Sequence, residues 1–306
     1  MSAPVSTLRA GARTLALGGD ARPLLMGIVN ASPDSFSDGG LHRGLEAQLR
    51  LACELAGAGA DVIDVGGESA TTGRPPVDVN EEIERVAPLV ARVQAELDVI
   101  VSVDTYKPAV AAAAIAAGAS IVNDVSGLRE PALAEVCARS GAALVLMHTL
   151  APPRVRRQDP DLYGDVVADV LEFLRRRIEL AIARGVDVEQ LIVDPGPDFA
   201  KTPAQTIELL VGVERLHELG RPLLLAISRK DFIGALTGRP PRERLAGTLA
   251  ALAHGVDRGA HIFRVHDVAA AADFLAVRAA LSGERQPSPE LVLAEDVRYE
   301  DSRASR

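Results

Sequence analysis

The sequence predicts an α/β protein built as a single (β/α)8 TIM barrel. Short apolar runs of strand length recur along the chain and alternate with Ala-, Leu-, Glu- and Arg-rich stretches of helical period. This alternation is the pattern of repeated βα units. The runs are almost continuously apolar, as parallel strands covered on both faces require. Eight such units favour a closed barrel over an open doubly wound sheet.

The predicted elements follow the chain in a regular order. Helical segments lie between the strands, for example over residues 79–97, 162–184 and 202–219, and an Ala-rich helix is expected near residues 110–119. The eight predicted strands begin at Leu24, Asp61, Asp98, Ser120, Ala143, Leu191, Pro222 and His261.

The barrel is expected to occupy residues 23–282, between two smaller segments. Residues 1–22 are predicted to form a peripheral N-terminal extension. Residues 283–306 are rich in charge and contain two prolines, so they can bury little area and are predicted to form a mobile C-terminal tail.

Every predicted strand ends in polar or charged residues, and this is the main functional signal in the residues themselves. In a TIM barrel the carboxyl ends of the strands surround one face, where the active site is built. Strand ends also lead into polar loops, so a single member such as His148 could be purely structural. The set is Asn30, Asp64 with Glu68, Asp104, Asn123 with Asp124, His148, Asp194, Arg229 with Lys230, and Arg264 with His266.

The amino-acid composition limits which partners and which cellular compartment are expected. The formal net charge is −9, aromatic residues make up 3% and Trp is absent, which disfavours nucleic acid as a partner. Cys53 and Cys137 lie far apart in stretches of helical composition, and both are expected to be buried thiols in a reducing compartment. No apolar run reaches the ~18 residues of a membrane span or resembles a signal peptide, so a soluble, cytoplasmic protein with no membrane partner is expected.

Several common catalytic motifs are missing from the sequence. It contains no G-x-S-x-G, no H-E-x-x-H and no cluster of Cys and His, which disfavours a protein nucleophile and a zinc site. It also lacks G-x-G-x-x-G and the Walker A sequence, which disfavours dinucleotide and P-loop phosphate binding.

The polar strand ends divide into an acid and amide group and a basic group. The first group suits a flat heterocycle with N–H donors, because carboxylates accept hydrogen bonds and an amide both accepts and donates them. The second suits phosphate or pyrophosphate. Together they predict a substrate with a polar ring and an anionic group. The first group is Asp104, Asn123 and Asp194, and the second is Arg229, Lys230, Arg264 and His266.

A segment rich in oxygen ligands follows the first barrel strand. NASPDSFSDGG, residues 30–40, is compatible with a Mg²⁺ ion that bridges a pyrophosphate, although the same letters also fit a capping and turn sequence. Its candidate oxygen ligands are Asn30, Ser32, Asp34, Ser35 and Asp38.

Nine segments between residues 23 and 281 resemble, in the same order, those of the dihydropteroate synthases. Each segment alone is weak, but nine in register are very specific. They are NASPDSFSDGG (30–40), DVIDVGGES (61–69), SVDTYK (102–107), IVNDVSG (121–127), VLMH (145–148), VDPG (193–196) with Phe199 and KTP (201–203), ISRK (227–230), ERLAGTLA (243–250) and RVHDV (264–268).

The resemblance implies a fold and a reaction. The family's fold is a (β/α)8 barrel, in agreement with the strand count. Its reaction condenses 6-hydroxymethyl-7,8-dihydropterin diphosphate with p-aminobenzoate, which gives 7,8-dihydropteroate and pyrophosphate in folate biosynthesis. The resemblance also implies Mg²⁺ as cofactor and a homodimer.

The resemblance further implies residue roles. The catalytic residues would be Lys230, Arg264 and Asp104. The pterin ring would be held by Asp104, Asn123, Asp194 and Lys230, with Met147 as an apolar wall. The diphosphate and its Mg²⁺ would be held by Asn30, Arg264 and His266, with Asn30 as the metal ligand. The p-aminobenzoate would lie between Lys230 and Ser228, close to Phe199.

The chain departs from the family in the loop after Glu68. Where the family usually has T-R-P-G, residues 70–75 read ATTGRP, so Thr71 stands at the position of the family's Arg. Arg74 is expected to reach back and bind substrate in its place.

Two further departures lie on the p-aminobenzoate side. G-P-D-F-A-K replaces G-x-G-F-G-K, which puts Asp198 beside Phe199, and Asp231 follows Lys230 where Ser is common. Two alternatives therefore stay open: a pterin-binding paralogue with altered or lost synthase activity, and a corrinoid-type pterin-dependent methyltransferase module. The DSFSDGG loop and the basic group disfavour the methyltransferase, because a tetrahydrofolate cofactor has no diphosphate to hold.

Overall fold

A computed structural model describes residues 5, 7–19, 21–31, 44–68, 76–294 and 297, and it confirms the predicted barrel. The barrel strands are β3 (Leu24–Asn30), β4 (Val62–Gly66), β5 (Ile100–Asp104), β6 (Ile121–Asp124), β7 (Ala143–Met147), β8 (Leu191–Asp194), β9 (Leu224–Leu225) and β10 (Ile262–Val265). They are parallel in the order β8-β7-β6-β5-β4-β3-β10-β9, and a parallel bridge between Val193 and Leu223 closes the circle.

Helices surround the strands and fill the crossovers. They are α1 (Leu45–Gly57), α2 (Val79–Glu96), α3 (Pro108–Ala116), α4 (Ala132–Ser140), α5 (Val166–Ala183), α6 (Pro203–Val211), α7 (Asp231–Thr237), α8 (Leu245–Asp257) and α9 (Val268–Leu281). Within the described residues, none of these helices is both long enough and apolar enough to cross a membrane.

Local signals explain where two predicted helices differ from the observed ones. The helix expected over 162–184 begins at Val166, because the Asp165 side chain accepts a hydrogen bond from the backbone N–H of Ala168 and caps it. The helix expected over 202–219 begins with a Thr202 capping box and ends at Val211. After Gly212 the chain continues as a 3-10 helix, Val213–Leu219.

The strand predicted from Pro222 to Lys230 is much shorter than expected. Only Leu224 and Leu225 pair with β10, and the chain then leaves the ladder. The residues that follow, including Ser228 and Lys230, therefore lie on irregular backbone at the mouth of the barrel.

The side chains inside the barrel lie in layers, because every second residue of each strand points inward. Residues near the amino ends of the strands are apolar and form one cluster, which includes Met26, Val62 and Ile100. The inward positions two residues further along are often polar, as in Asp64 and Ser102, which are paired in register. The apolar layer thus supports a polar layer at the carboxyl end.

The N-terminal extension is not peripheral, contrary to the sequence prediction. Strands β1 (Thr7–Ala10) and β2 (Arg13–Ala16) form an antiparallel hairpin. Leu8 and Ala10 have no exposed surface and pack in the same cluster as the apolar barrel interior. The hairpin therefore closes the amino-terminal end of the barrel.

The two cysteines differ, and the expectation that both are buried is wrong for one of them. Cys137 on α4 is buried, whereas Cys53 on α1 is exposed. The buried stripe of α1 runs through Leu49, Ala52 and Leu55, so Cys53 lies beside that stripe and faces outward.

Candidate active site

One cavity at the carboxyl ends of the strands collects nearly all of the predicted site residues. Its volume is about 250 Å³. The predicted residues that line it are Asn30, Asp104, Asn123, Met147, Asp194, Phe199, Ser228, Lys230, Arg264 and His266. Arg74 and the candidate ligands Ser32, Asp34, Ser35 and Asp38 lie outside the described residues.

The alternation of the strands explains why these side chains meet. Ile192 and Ile262 belong to the apolar layer, and the residues two positions later, Asp194 and Arg264, line the cavity. His266, two residues after Arg264, also lines the cavity.

Arg264 is the centre of a buried charge network. Its Nε donates to Asp64 Oδ2 at 2.6 Å, and its Nη2 donates to Asp104 Oδ2 at 2.8 Å. Asn123 Nδ2 also donates to Asp64 Oδ2, at 3.1 Å. Burial alone would lower the pKa of Arg264, but the two carboxylates outweigh it and raise that pKa, so the guanidinium stays charged.

The two predicted pterin-site aspartates have different surroundings. Burial raises the pKa of Asp194 to about 6, against the opposing effect of a hydrogen bond from the Gly196 N–H at 2.7 Å. Burial also raises the pKa of Asp104, while Arg264 opposes the rise and Asp64 adds to it. Asp194 Oδ2 accepts no hydrogen bond from a described residue and is available to a ring donor, whereas one oxygen of Asp104 is already committed to Arg264.

Lys230 lies over the ring of Phe199. Its Nζ is 4.4 Å from the ring centroid, a cation–π distance. Burial lowers the pKa of Lys230, and the nearby carboxylates Asp198 and Asp194 oppose this effect. The cation and the ring together form one wall of the cavity.

Ser228 and His266 are hydrogen-bonded to each other. Ser228 Oγ accepts the backbone N–H of His266 at 3.2 Å and lies 3.0 Å from His266 Nδ1. Burial lowers the pKa of His266 to about 3, and Arg229 and Arg264 lower it further, so the imidazole is neutral near pH 7. In the neutral tautomer in which the serine hydroxyl donates to Nδ1, Nε2 carries the hydrogen and can donate to an anion.

Lys201 is a buried residue whose role sequence reasoning missed. It has no exposed surface, and its Nζ lies 2.8 Å from His148 Nδ1, 3.0 Å from the Gly196 carbonyl and 3.1 Å from the Phe199 carbonyl. Burial lowers the pKa of Lys201 to about 7. Lys201 belongs to the KTP segment noted above, but nothing in those letters indicates that its ammonium group turns inward.

The loop that Lys201 holds, residues 195–200, has unusual backbone geometry. Gly196, Asp198 and Ala200 all have positive φ angles, 64°, 67° and 52°. A Cβ atom at Gly196 would lie 2.1 Å from the carbonyl oxygen of His148, so that position needs glycine. Asp198 and Ala200 keep the left-handed geometry without glycine and must be held by their surroundings.

A second network holds Glu68 at the edge of the site. Lys107 Nζ donates to Glu68 Oε2 at 2.7 Å, and Tyr106 Oη donates to Glu68 Oε1 at 2.9 Å. Lys107 also pairs with Glu82, which is 1% exposed. Glu68 also accepts the backbone N–H of Val77 at 2.8 Å, so it is a structural anchor for the chain that leads into α2.

Four residues from the polar strand ends do not line the 250 Å³ cavity, and one of them, Asp64, binds Arg264 and Asn123 as described above. Asp124 accepts backbone hydrogen bonds from Ser126 and Leu128. His148 is buried against Lys201. Arg229 makes a bidentate pair with Asp267, at 3.1 Å and 2.7 Å.

A larger outer cavity of about 570 Å³ adjoins the first. The two share Glu68, Asp104, Val125, Phe199 and Lys230. The outer cavity is also lined by the segment 152–158 after β7, with its arginines Arg154, Arg156 and Arg157, and by Asp198 and Asp231. A polar ring in the inner cavity and a second, aromatic molecule beside Phe199 would therefore lie next to each other.

Asn30 is the described residue best suited to a hard cation. It lines the inner cavity with Arg264 and His266, and no described residue makes a hydrogen bond with its side chain. No group of three or more His, Cys, Asp or Glu side chains with metal-binding geometry occurs in the described part of the chain. Mg²⁺ commonly needs only one or two protein oxygens when substrate phosphates complete its shell, so this donor set is compatible with it.

Comparisons with a family model and with known proteins agree on the family of this chain. The family model described as "Pterin binding enzyme" matches residues 26–266. A dihydropteroate synthase of Bacillus subtilis is 44% identical over 248 residues, which is 81% of this chain and 84% of that protein.

Solved structures agree with the sequence comparison. A Xanthomonas albilineans dihydropteroate synthase with 4-aminobenzoic acid superposes with a TM-score of 0.83 at 44% identity, covering 91% of this chain and 98% of the other. The same enzyme in complex with 7,8-dihydropteroate gives a TM-score of 0.79 at 44% identity, covering 90% and 98%.

Proposed function

The chain belongs to the pterin-binding enzyme family and, within it, to the dihydropteroate synthases, and we propose how its own residues carry out the reaction. The dihydropteroate synthases are transferases that make dihydropteroate in folate synthesis. The observation that carries the proposal is the single inner cavity in which an acid and amide group meets buried cations. The substrates are a pterin diphosphate and p-aminobenzoate, both small molecules.

The pterin ring is proposed to lie against Asn123, Asp194 and Met147. Asp194 Oδ2 accepts ring N–H groups, because Oδ1 is already bound by the Gly196 N–H. Asn123 keeps its amide oxygen for the ring, since its Nδ2 donates to Asp64. Asp104 acts through Arg264, whose guanidinium it orients.

The diphosphate is proposed to lie toward Arg264 and His266. Two Arg264 nitrogens bind carboxylates, which fixes the guanidinium plane and leaves Nη1 for an anion. The neutral His266 offers Nε2–H to the same anion. Lys230 adds a buried positive charge on the side of the amine.

Mg²⁺ is proposed as the cofactor, with Asn30 as its described protein ligand. When bound, it would supply charge neutralisation for the departing pyrophosphate.

The condensation needs no protein nucleophile. The amine nitrogen forms a bond to the methylene carbon of the pterin while the bond from that carbon to the diphosphate oxygen breaks. Arg264 and Lys230 stabilise the negative charge that grows on the leaving oxygen. The amine then releases one proton to solvent or to pyrophosphate.

A coupled assay for pyrophosphate release, with and without p-aminobenzoate, tests this proposal. Release that depends on p-aminobenzoate, with dihydropteroate as product, is the expected result. Lys230→Ala should lower turnover by about 10²-fold while it weakens pterin-diphosphate binding by much less. Pyrophosphate release that ignores p-aminobenzoate, or equal losses in binding and turnover for Lys230→Ala, would contradict the assignment.

We further propose that the barrel works as a homodimer in the cytoplasm. Of the predicted C-terminal tail, residues 295, 296 and 298–306 lie outside the described residues. An apolar hollow between α8 and α9, lined by Leu249, Phe274, Val277 and Leu281, supports a homodimer. Val277 and Leu281 are 59% and 84% exposed in the single chain. The unpaired thiols of Cys53 and Cys137 are compatible with a reducing compartment. Light scattering of the purified protein would measure the mass of the assembly, and a monomer would contradict the dimer.

A further inference from the structure

Asp198 lines the outer cavity beside Phe199 and Lys230, and the reaction as proposed gives its carboxylate no role. Its carboxylate reaches across to the start of α7, where Oδ2 accepts the backbone N–H of Asp231 at 2.5 Å. Its own N–H donates to Thr206 Oγ1 at 3.1 Å. These two bonds fix the carboxylate in place despite the positive φ angle of 67°.

The charge of Asp198 is not balanced by an ion pair. Among the described residues, no cationic nitrogen lies within 4.0 Å of its carboxylate, whereas Asp231 pairs with Arg244 at 3.3 Å and with Arg156 at 3.6 Å. Burial lowers the pKa of Lys230, and Asp198 is the strongest of the nearby charges that oppose this effect. The charge of Asp198 also raises the pKa of Lys201 against burial, but of these two lysines it is Lys230 that lines the outer cavity with Asp198.

This arrangement has a direct consequence for an amine that carries a carboxylate. Such a molecule, lying beside Phe199, is attracted by the Lys230 ammonium group and repelled by Asp198. An uncharged arylamine of the same shape feels neither effect strongly. The net preference between the two amines therefore depends on the Asp198 charge.

We propose that Asp198 is a specificity-determining residue, whose carboxylate screens Lys230 and lowers the preference of the amine cavity for anionic over uncharged arylamines. The inference rests on the proposed function, because it requires that the amine lies beside Phe199 and Lys230. It differs from that function in naming a residue that tunes which amine is used.

The variant Asp198→Asn separates charge from shape. Asn tolerates left-handed backbone and keeps an oxygen to accept the Asp231 N–H. The quantity to measure is the ratio of kcat/KM for p-aminobenzoate to kcat/KM for p-aminobenzamide, its uncharged analogue. We expect the ratio to rise about tenfold in Asp198→Asn, the size expected for one unit charge acting across a half-buried cavity.

Two further variants make the result decisive. Asp169→Asn removes one negative charge from an exposed position on α5, outside both cavities, and should leave the ratio unchanged. Asp198→Gly removes the charge and also relieves the backbone, so it provides the test if the Asn variant folds poorly.

The outcomes distinguish this inference from the function on which it rests. Normal turnover with an unchanged ratio in both Asp198 variants would overturn the inference and leave the synthase assignment intact. An equal rise in Asp169→Asn would also overturn it, since net charge alone would then explain the change. If the unaltered protein turned over neither amine, the proposed function would fail and the inference with it.

Discussion

Asp194 illustrates how burial gives a single carboxyl group its role. It is 3% exposed, and burial raises its pKa to about 6. A carboxyl group with a raised pKa favours the folded state most below the unfolded pKa of about 4, and this contribution is lost as the pH rises through about 6. At neutral pH the ionised group therefore costs stability, and a ring N–H that binds to it offsets part of that cost.

We expect pterin affinity to follow this ionisation. The affinity of unphosphorylated 6-hydroxymethyl-7,8-dihydropterin should rise between pH 5 and pH 7 and then level off, because only the carboxylate accepts two donors. The alcohol avoids the ionisation of the diphosphate itself. Isothermal titration calorimetry across this range measures the effect.

Asp194→Asn is the matched variant for that experiment. It should bind the pterin weakly at every pH, because its amide nitrogen presents N–H to the ring donors. At pH 8 its melting temperature should equal or exceed that of the unaltered protein, since a buried charge is gone. A lower melting temperature, or a pH dependence retained in the variant, would assign the titration to another group.

The alternation of inward and outward side chains along the strands made most of the site residues predictable from the sequence. The string IVSVD places Asp104 two residues after Ser102, and the string IFRVH does the same for Arg264 and His266. The roles of Lys201 and Asp198 could not be read this way, because both lie in irregular backbone where no periodicity relates side-chain direction to sequence.

At the scale of elements, the loop between β8 and α6 controls the amine side of the site. Residues 195–200 carry Phe199 and Asp198, and the carbonyls of Gly196 and Phe199 both bind Lys201 Nζ. The amino group of Lys201 thus supplies the hydrogen bonds that a neighbouring strand would supply in a β-sheet. The extended backbone of β8 ends where this loop begins, so the alternation of strand side chains cannot be used to predict side-chain directions within the loop.

Lys201→Met should therefore destabilise the fold. Two buried carbonyls would lose their donor, at a cost of about 1 to 3 kcal/mol each. The folded pKa of Lys201 is about 7, below its unfolded value, so the unfolded chain binds a proton that the folded chain releases between about pH 7 and pH 10. This group's contribution to stability thus rises with pH in that window, and the deficit of Lys201→Met should grow with it.

Urea unfolding at pH 6.5 and pH 9 measures both the deficit and its pH dependence. Lys230→Met provides the contrast, because no described residue accepts a hydrogen bond from Lys230 and its buried charge is costly. That variant should lose turnover with little loss of stability. Equal destabilisation of the two variants would mean that burial of a lysine, and not the clamp on the loop, determines stability.

At the scale of the whole molecule, the barrel separates stability from chemistry along its axis. The amino-terminal end is an apolar cluster closed by the β1–β2 hairpin, and the carboxyl end holds the charged network around Arg264. The eight-strand count predicted the barrel because each strand repeats one apolar pattern. The hairpin was missed because Leu8 and Ala10 are isolated apolar residues among polar neighbours, and short alternating strands outside a repeat give a weak signal.

Because of this separation along the axis, a change at the closed end of the barrel should affect stability without affecting catalysis. Leu8 has no exposed surface and contacts the apolar interior of the barrel, so Leu8→Ala should lower the free energy of unfolding by about 2 to 5 kcal/mol. Because Leu8 lies at the end of the barrel opposite the cavity, kcat and KM measured well below the melting temperature should change by less than about twofold. Leu291→Ala, at a position 74% exposed in the C-terminal segment, is the control and should alter neither quantity. A small loss of stability in Leu8→Ala would show that the hairpin merely covers the barrel, whereas a large loss of activity at low temperature would show that the two ends of the barrel are coupled.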